Sequence, residues 1–298
     1  MLHSKGVQWM LLATLCFTVM NAFVKAVAHL PALEVVMFRS WISLLLTWGL
    51  LWRKQIPYWG NNKRVLLLRG AFGVIALSLF FTTLQHIPLA GAALLQYLAP
   101  IFTTILAFWW LGERVYRVQW LLFALCFAGV VVVKYTDARI DWFYLGLGVL
   151  SAFFSALAYT CIRKLKNSEH PLVIVFYFPL ISVPITTLLV LPLWVWPSGW
   201  DWLHLLAIGL LTQVAQTLMT KAYQAEAAAH VSAVNYVGIV YALLLGWIFF
   251  GEYIAWGALI GVALVLIGVL LNLSVASWYP PLKKRLWPAT KPKPKQTA

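Results

Sequence analysis

Lys25 and Arg39 are cationic side chains set in runs that are otherwise mostly apolar, Val7 to Val27 and Leu33 to Trp52. A charge held in hydrocarbon costs several kcal/mol unless it finds a partner or a water-filled cavity, so each is a candidate for function. Arg39 offers a planar fork that matches a carboxylate or phosphate group. If the two runs form a helical hairpin turning near Leu30, residues whose numbers sum to about 60 share a depth. Lys25 then faces the level of Glu34, and Asn21 that of Arg39. This pattern fits either an ion pair that locks the hairpin or a basic pocket for an anionic or zwitterionic solute.

Gln96-Tyr97 and Asn235-Tyr236 each join an amide to a phenol inside an apolar run. Such groups both donate and accept hydrogen bonds, and their rings and stems add the apolar surface that pockets for small molecules use. Gln96 and Tyr97 lie about eight residues, roughly 12 Å, from the start of their run. Gln213 and Gln216 are further amide candidates, with Gln85 a weaker one. Lys221 and Arg69 sit near the ends of their runs and read first as charges that snorkel or fix orientation. Glu113 and Glu252 end two runs in Leu111-Gly112-Glu113 and Phe250-Gly251-Glu252. A carboxylate at a helix C-terminus opposes the helix dipole and calls for a partner, such as Arg114 or Arg117 for Glu113. Glu34, Glu113 and Glu252 are therefore expected in structural or gating roles, as clasps between helix ends.

The elements that must hold these residues are membrane-spanning. Apolar residues form 63% of the 298, while only 22 are basic and 8 acidic, far below the near-quarter charged share of a soluble domain. Runs of about 20 apolar residues place spans near 7-27, 33-52, 65-85, 89-110, 118-135, 143-163, 172-193, 202-222, 230-250 and 255-276. No room remains for a soluble domain, which excludes a cytosolic enzyme, a nucleic-acid-binding module or a disulfide scaffold. Cys16, Cys126 and Cys161 lie in apolar runs at spacings that make neither a metal site nor a disulfide framework. Without His-Glu-x-x-His, or two carboxylates at one depth, an intramembrane enzyme is disfavoured, and neither metal nor cofactor is called for. With the N-terminus cytoplasmic, all Lys and Arg but Lys25, Arg39, Lys134 and Arg139 fall on the cytoplasmic side, which argues for both ends inside. The basic segment 277-298, interrupted by Pro288, Pro292 and Pro294, reads as a disordered cytoplasmic tail that anionic lipid can attract.

The two Gly-Glu exits are 139 positions apart (252 − 113), and the same shift pairs Gln96 with Asn235, Tyr97 with Tyr236, Gly70 with Gly209 and Gly129 with Gly268. Each half holds five spans, an odd number, so the second half enters the membrane upside down, an arrangement found in many secondary transporters. Ala90 to Glu113 with Tyr97 and Pro100, the Pro-led entry to the second span followed by Arg39, and Ala222-Tyr223, Asn235-Tyr236 and Phe-Gly-Glu252 together resemble the drug/metabolite transporter superfamily, EamA type. The second half departs from the pattern, with Ile239 in place of a proline at the position matching Pro100, which removes the usual cause of a bend there.

The resemblance implies an all-α membrane protein of ten helices in two inverted five-helix repeats, 1-140 and 141-276, with a cavity lined mainly by spans 1, 3, 4, 6, 8 and 9. It implies a secondary transporter working by alternating access in the plasma (inner) membrane, and Lys25 and Arg39 favour a small anionic or zwitterionic metabolite, amino-acid-like or nucleotide-like. A lipid flippase or scramblase, or a channel on the same fold, is the alternative. The related small multidrug transporters bind cations through an acid in their first helix, and the first span here has none. Expected partners are the metabolite and membrane lipids, with no nucleic acid, in a monomer or homodimer.

Overall fold

The computed structural model describes residues 4–111, 117–165, 168–225, 234–253 and 255–278. Every regular element among them is helical: α1 (Lys5–Ala26), α2 (Ala32–Arg53), α3 (Lys63–His86), α4 (Leu89–Gln96), α5 (Ala99–Leu111), α6 (Arg117–Thr136), α7 (Trp142–Leu165), α8 (Pro171–Val190), α9 (Asp201–Ala225), α10 (Val237–Phe250) and α11 (Trp256–Trp278). Eight segments are long and apolar enough to cross a membrane, one of them made of α4 with the start of α5, and α10 and α11 supply two shorter apolar helices. All except α10 start and stop within a few residues of the spans read from sequence. The start of the ninth expected span, Glu113, and all but the first two residues of the expected tail lie outside the described residues.

Large apolar side chains cover the outside of the bundle, among them Trp48, Trp109, Leu121 and Trp247. Helices that are apolar on every side have no reason to stand in water and fit a lipid surround. Inside, one continuous cluster runs from Met20 and Val24 through Phe81, Leu94 and Leu98 to Tyr236 and Val265. Helices pack mainly in four pairs: α1 with α9, α3 with α7, α2 with α8 and α6 with α11. Small residues set the closest of these approaches. A Cβ on Gly129 would lie 2.7 Å from the Gly261 carbonyl oxygen, so α6 and α11 touch backbone to backbone there.

One end of the bundle carries the C-terminus of α1 and the N-terminus of α4, where Lys25 meets Glu252; the other carries the N-terminus of α3, where the Glu169 carboxylate accepts from the Asn62 N–H at 2.7 Å. Between the ends, the fourth expected span is not one helix. Pro100 has no N–H to give, and its ring excludes the carbonyl four residues earlier, so α4 stops at Gln96. The Tyr97 and Leu98 N–H groups bond three residues back, to Leu94 and Leu95, at 3.1 Å each. A second break stands at Tyr236, where the Ile239 N–H again bonds three residues back. No proline drives this one. Gly238 occupies the turn instead, and a Cβ there would come within 2.6 Å of the Tyr97 hydroxyl. The absence of proline at Ile239 therefore does not keep the helix straight.

Candidate functional site

Both breaks open onto a cavity of about 170 Å³ in the middle of the bundle. Backbone that leaves helical geometry at membrane depth is tolerated where it is buried in protein or lines a cavity. Asn21 from α1, Gln96 at the end of α4, Tyr97 in the break after it, Gln216 from α9 and Asn235 from the entry to α10 supply its polar wall. The Gln96 amide donates to Ser151 Oγ at 2.6 Å, and its oxygen accepts from Ser155 at 3.2 Å. Thr14 donates to the Asn235 side-chain oxygen at 2.9 Å. The Tyr97 hydroxyl donates to the Asn235 carbonyl at 3.1 Å, and the Tyr97 and Tyr236 rings meet with centroids 4.7 Å apart. The side-chain oxygens of Asn21 and Gln216 are buried without a hydrogen-bond partner.

Arg39 enters the same cavity from α2 and is almost fully buried. Its Nε donates to Thr212 Oγ1 at 2.7 Å, while Nη1 has no partner. Its guanidinium carbon lies 5.4 Å from the centre of the Phe178 ring. Arg69, which sequence reading took for a charge at a helix start, lies 5.3 Å from the same ring, with its Nε unpartnered. It was missed because its run as read from sequence begins only four residues earlier, at Val65, so length alone leaves it near a boundary. The signal that could have found it is Gly73, one helical turn later. A Cβ there would lie 2.8 Å from Phe178 and 3.2 Å from Arg69 Nη1, so the glycine makes room for both.

The remaining candidates lie elsewhere. Lys25 is outside the cavity lining; its ammonium group pairs with Glu252 and donates to the Ile87 carbonyl at 2.7 Å. The hairpin pair Lys25–Glu34 is therefore corrected: Glu34 is buried and accepts from the Val195 N–H at 3.1 Å. The two side chains turn to different neighbours, Lys25 to Glu252 and Glu34 to Val195. Gln213 also lies outside the lining, where its oxygen accepts from Ser43 and Thr47 at 2.7 and 2.9 Å and ties α9 to α2. Tyr236 sits behind Tyr97 rather than on the cavity wall. Lys221 lies over the Trp9 ring at 5.9 Å, and Gln85 donates to the Leu30 carbonyl at 3.0 Å.

Glu252 forms a clasp. Gly251 takes a left-handed conformation (φ 60°) that ends α10, and the Glu252 carboxylate turns back past Gly246, whose missing Cβ leaves it room. There it holds Lys25 and accepts the Leu89 N–H at 2.8 Å, at the positive end of α4. The acid that opposes the dipole of its own helix is thus matched by the dipole of another. Beside it, Arg139 donates to both Asp137 carboxylate oxygens at 2.9 and 2.7 Å and to the Tyr253 carbonyl at 2.6 Å. No cluster of His, Cys, Asp and Glu able to hold a metal occurs among the described residues.

Such a cavity can hold a small solute by its charge and hydrogen-bonding edges, and comparison with known proteins fits that use. Residues 4–135 and again 142–274 match the EamA-like transporter family. The pseudopaline exporter CntI of Pseudomonas aeruginosa is 37% identical over 276 residues, which cover 89% of this chain and 96% of that protein. A riboflavin transporter of Vibrio cholerae is 29% identical (89% and 91% covered), and human solute carrier family 35 member G1 is 26% identical (92% and 80%). A crystal structure of a protein only 18% identical superposes with a TM-score of 0.67 over 93% of this chain and 98% of that one, which speaks for the fold. A family that matches nearly the whole length, and relatives of equal extent, make this chain a member of the EamA-like transporter family, a branch of the drug/metabolite transporters.

Proposed function

We propose that the protein is a secondary transporter that moves a small anionic or zwitterionic metabolite by alternating access. The observation that carries this reading is the central cavity at two broken helices, whose only charged lining residues among those described are Arg39 and Arg69. The named relatives are transporters of different metabolites, which supports the class and leaves the solute to the chemistry of the wall.

In this proposal the chain spans the membrane ten times as two inverted repeats, 1–140 and 141–276. The double match to one family supports this division. So do contacts that the 139-residue shift maps onto one another. Tyr97 meets its own counterpart Tyr236, and the Cys126 thiol donates to the carbonyl of its counterpart Val265 at 3.6 Å. Gly70 packs on Ile181, and Gly209 packs on Ile42, the same contact after exchange of the halves. The positive-inside bias makes the Lys25 end the outer one, with both termini cytoplasmic in the plasma membrane. The Lys25–Glu252 clasp then closes the outer mouth and must open once per cycle.

Counterflow of radiolabelled metabolites in proteoliposomes tests the proposal. A carrier takes up labelled solute faster when unlabelled solute fills the opposite side. Flux that ignores the opposite side would point instead to a channel. Cysteines placed at Trp59 and Ser198 should label from opposite faces of intact cells, and equal labelling would overturn the orientation.

A further inference from the structure

We infer that Arg39 and Arg69 form a paired-anion subsite for a solute bearing two acidic groups, one for each guanidinium. This names the substrate class of the proposed transport cavity and rests on that reading. Both arginines are nearly inaccessible (2% and 5% exposed), and both line the one cavity. They approach the same Phe178 ring, so their guanidinium carbons are no farther apart than the sum of 5.4 and 5.3 Å. Arg39 Nη1 and Arg69 Nε have no hydrogen-bond partner, and none of the ion pairs among the described residues involves either side chain.

Two like charges this close and this dry repel each other, and cation–ring contact offsets only a small part of the cost. Arginines kept for packing would be met by carboxylates or carbonyls of their own protein. The Lys and Arg side chains paired with carboxylates among the described residues, Lys25 and Arg139, both lie outside the cavity lining. The wall therefore carries two uncompensated positive charges, and a solute with two negative charges completes it. A zwitterion answers one of them and brings a cation toward the other. The spare oxygens of Asn21 and Gln216 accept hydrogen bonds from the uncharged body of the solute.

The test uses purified full-length protein in lipid nanodiscs with straight-chain dicarboxylates from malonate to suberate, monocarboxylates of matched length, and a phosphomonoester. Two fixed guanidiniums should select one chain length, bound at least about tenfold tighter than its monocarboxylate. Arg39→Gln and Arg69→Gln should each reduce that affinity to the monocarboxylate level. Ligand-free unfolding midpoints of these variants should hold or rise, because an uncompensated buried charge has been removed. Equal binding of all lengths by wild-type protein would overturn the subsite, as would a phosphomonoester that binds tighter than every dicarboxylate. Lowered midpoints with affinity retained would show that the arginines hold the fold instead. Counterflow of another solute without dicarboxylate binding would overturn this subsite and leave the transporter standing. Dicarboxylate binding without counterflow of any solute would do the reverse.

Discussion

The ring of Tyr97 meets that of Tyr236 edge to face, 4.7 Å between centroids, at the points where two helices break. The 139-position shift makes each of these phenols the counterpart of the other. Contact puts them at one level, each ring bracing the break that the other helix carries. Gly238 makes the contact possible, since any side chain there would strike the Tyr97 hydroxyl. The two residues thus form a single joint, and separate inner and outer roles for them are not expected.

A double-mutant cycle checks the joint. Tyr97→Ala and Tyr236→Ala should be non-additive in unfolding free energy by about 0.5–1.5 kcal/mol, the usual worth of an aromatic pair beyond burial. Tyr97→Phe, which loses only the bond to the Asn235 carbonyl, should change solute affinity about two- to twelvefold. Additive losses would show that the rings pack independently.

Removing the acid of the clasp should open the Lys25 end. Glu252→Gln loses its charge-assisted bonds to Lys25 and Leu89, worth about 1.5–3 kcal/mol, so the closed population should fall roughly ten- to 150-fold relative to the open one. An impermeant thiol reagent should then label Ala93→Cys, in the cavity wall, faster from the Lys25 side in a background without native cysteines. Unchanged labelling would mean that other contacts close this end.

Gly129 and Gly146 provide a matched pair. Gly129→Ala would place a methyl group 2.7 Å from a backbone oxygen of α11, and overpacking of this kind costs about 1–3 kcal/mol. Gly146 has nothing within 4 Å of its absent Cβ, so Gly146→Ala should be neutral or stabilising through helix propensity. Thermal unfolding in detergent should separate the two.

Acid should loosen the Asp137–Arg139 loop within a definite range. Hydrogen bonds from the Arg139 side chain hold the Asp137 carboxyl below the usual carboxylate range. A depressed carboxylate contributes stability above its unfolded pKa, about 3.9, and loses it as pH falls through the lower folded value. Arg139 is half exposed, so the contribution is at most about 1 kcal/mol. Unfolding midpoints measured from pH 7 to 3 should fall more steeply at the acid end for wild type than for Asp137→Asn.

Span positions were legible because about 20 apolar residues in a row admit few other uses in water. Arg39, Gln96 and Asn235 were legible because each interrupts such a run. Orientation around a helix axis was not, which is why Lys25 reached Glu252 rather than Glu34, and why Gln213 faces Ser43 instead of the cavity. Arg69 was hidden by its nearness to a span boundary. The break at Tyr236 was hidden because its cause is a glycine that accommodates a side chain from another helix, and no local pattern records such a partner.

Arg39 and Arg69 both belong to the first half of the chain, and the residues that the 139-position shift assigns to them in the second half are Phe178 and Ile208. A cavity built from two identical halves would offer a bound molecule two equivalent poses, head for tail. Charge on one half and hydrocarbon on the other abolish that degeneracy. In the proposed subsite, the acidic part of the solute then has a single address beside the Phe178 ring.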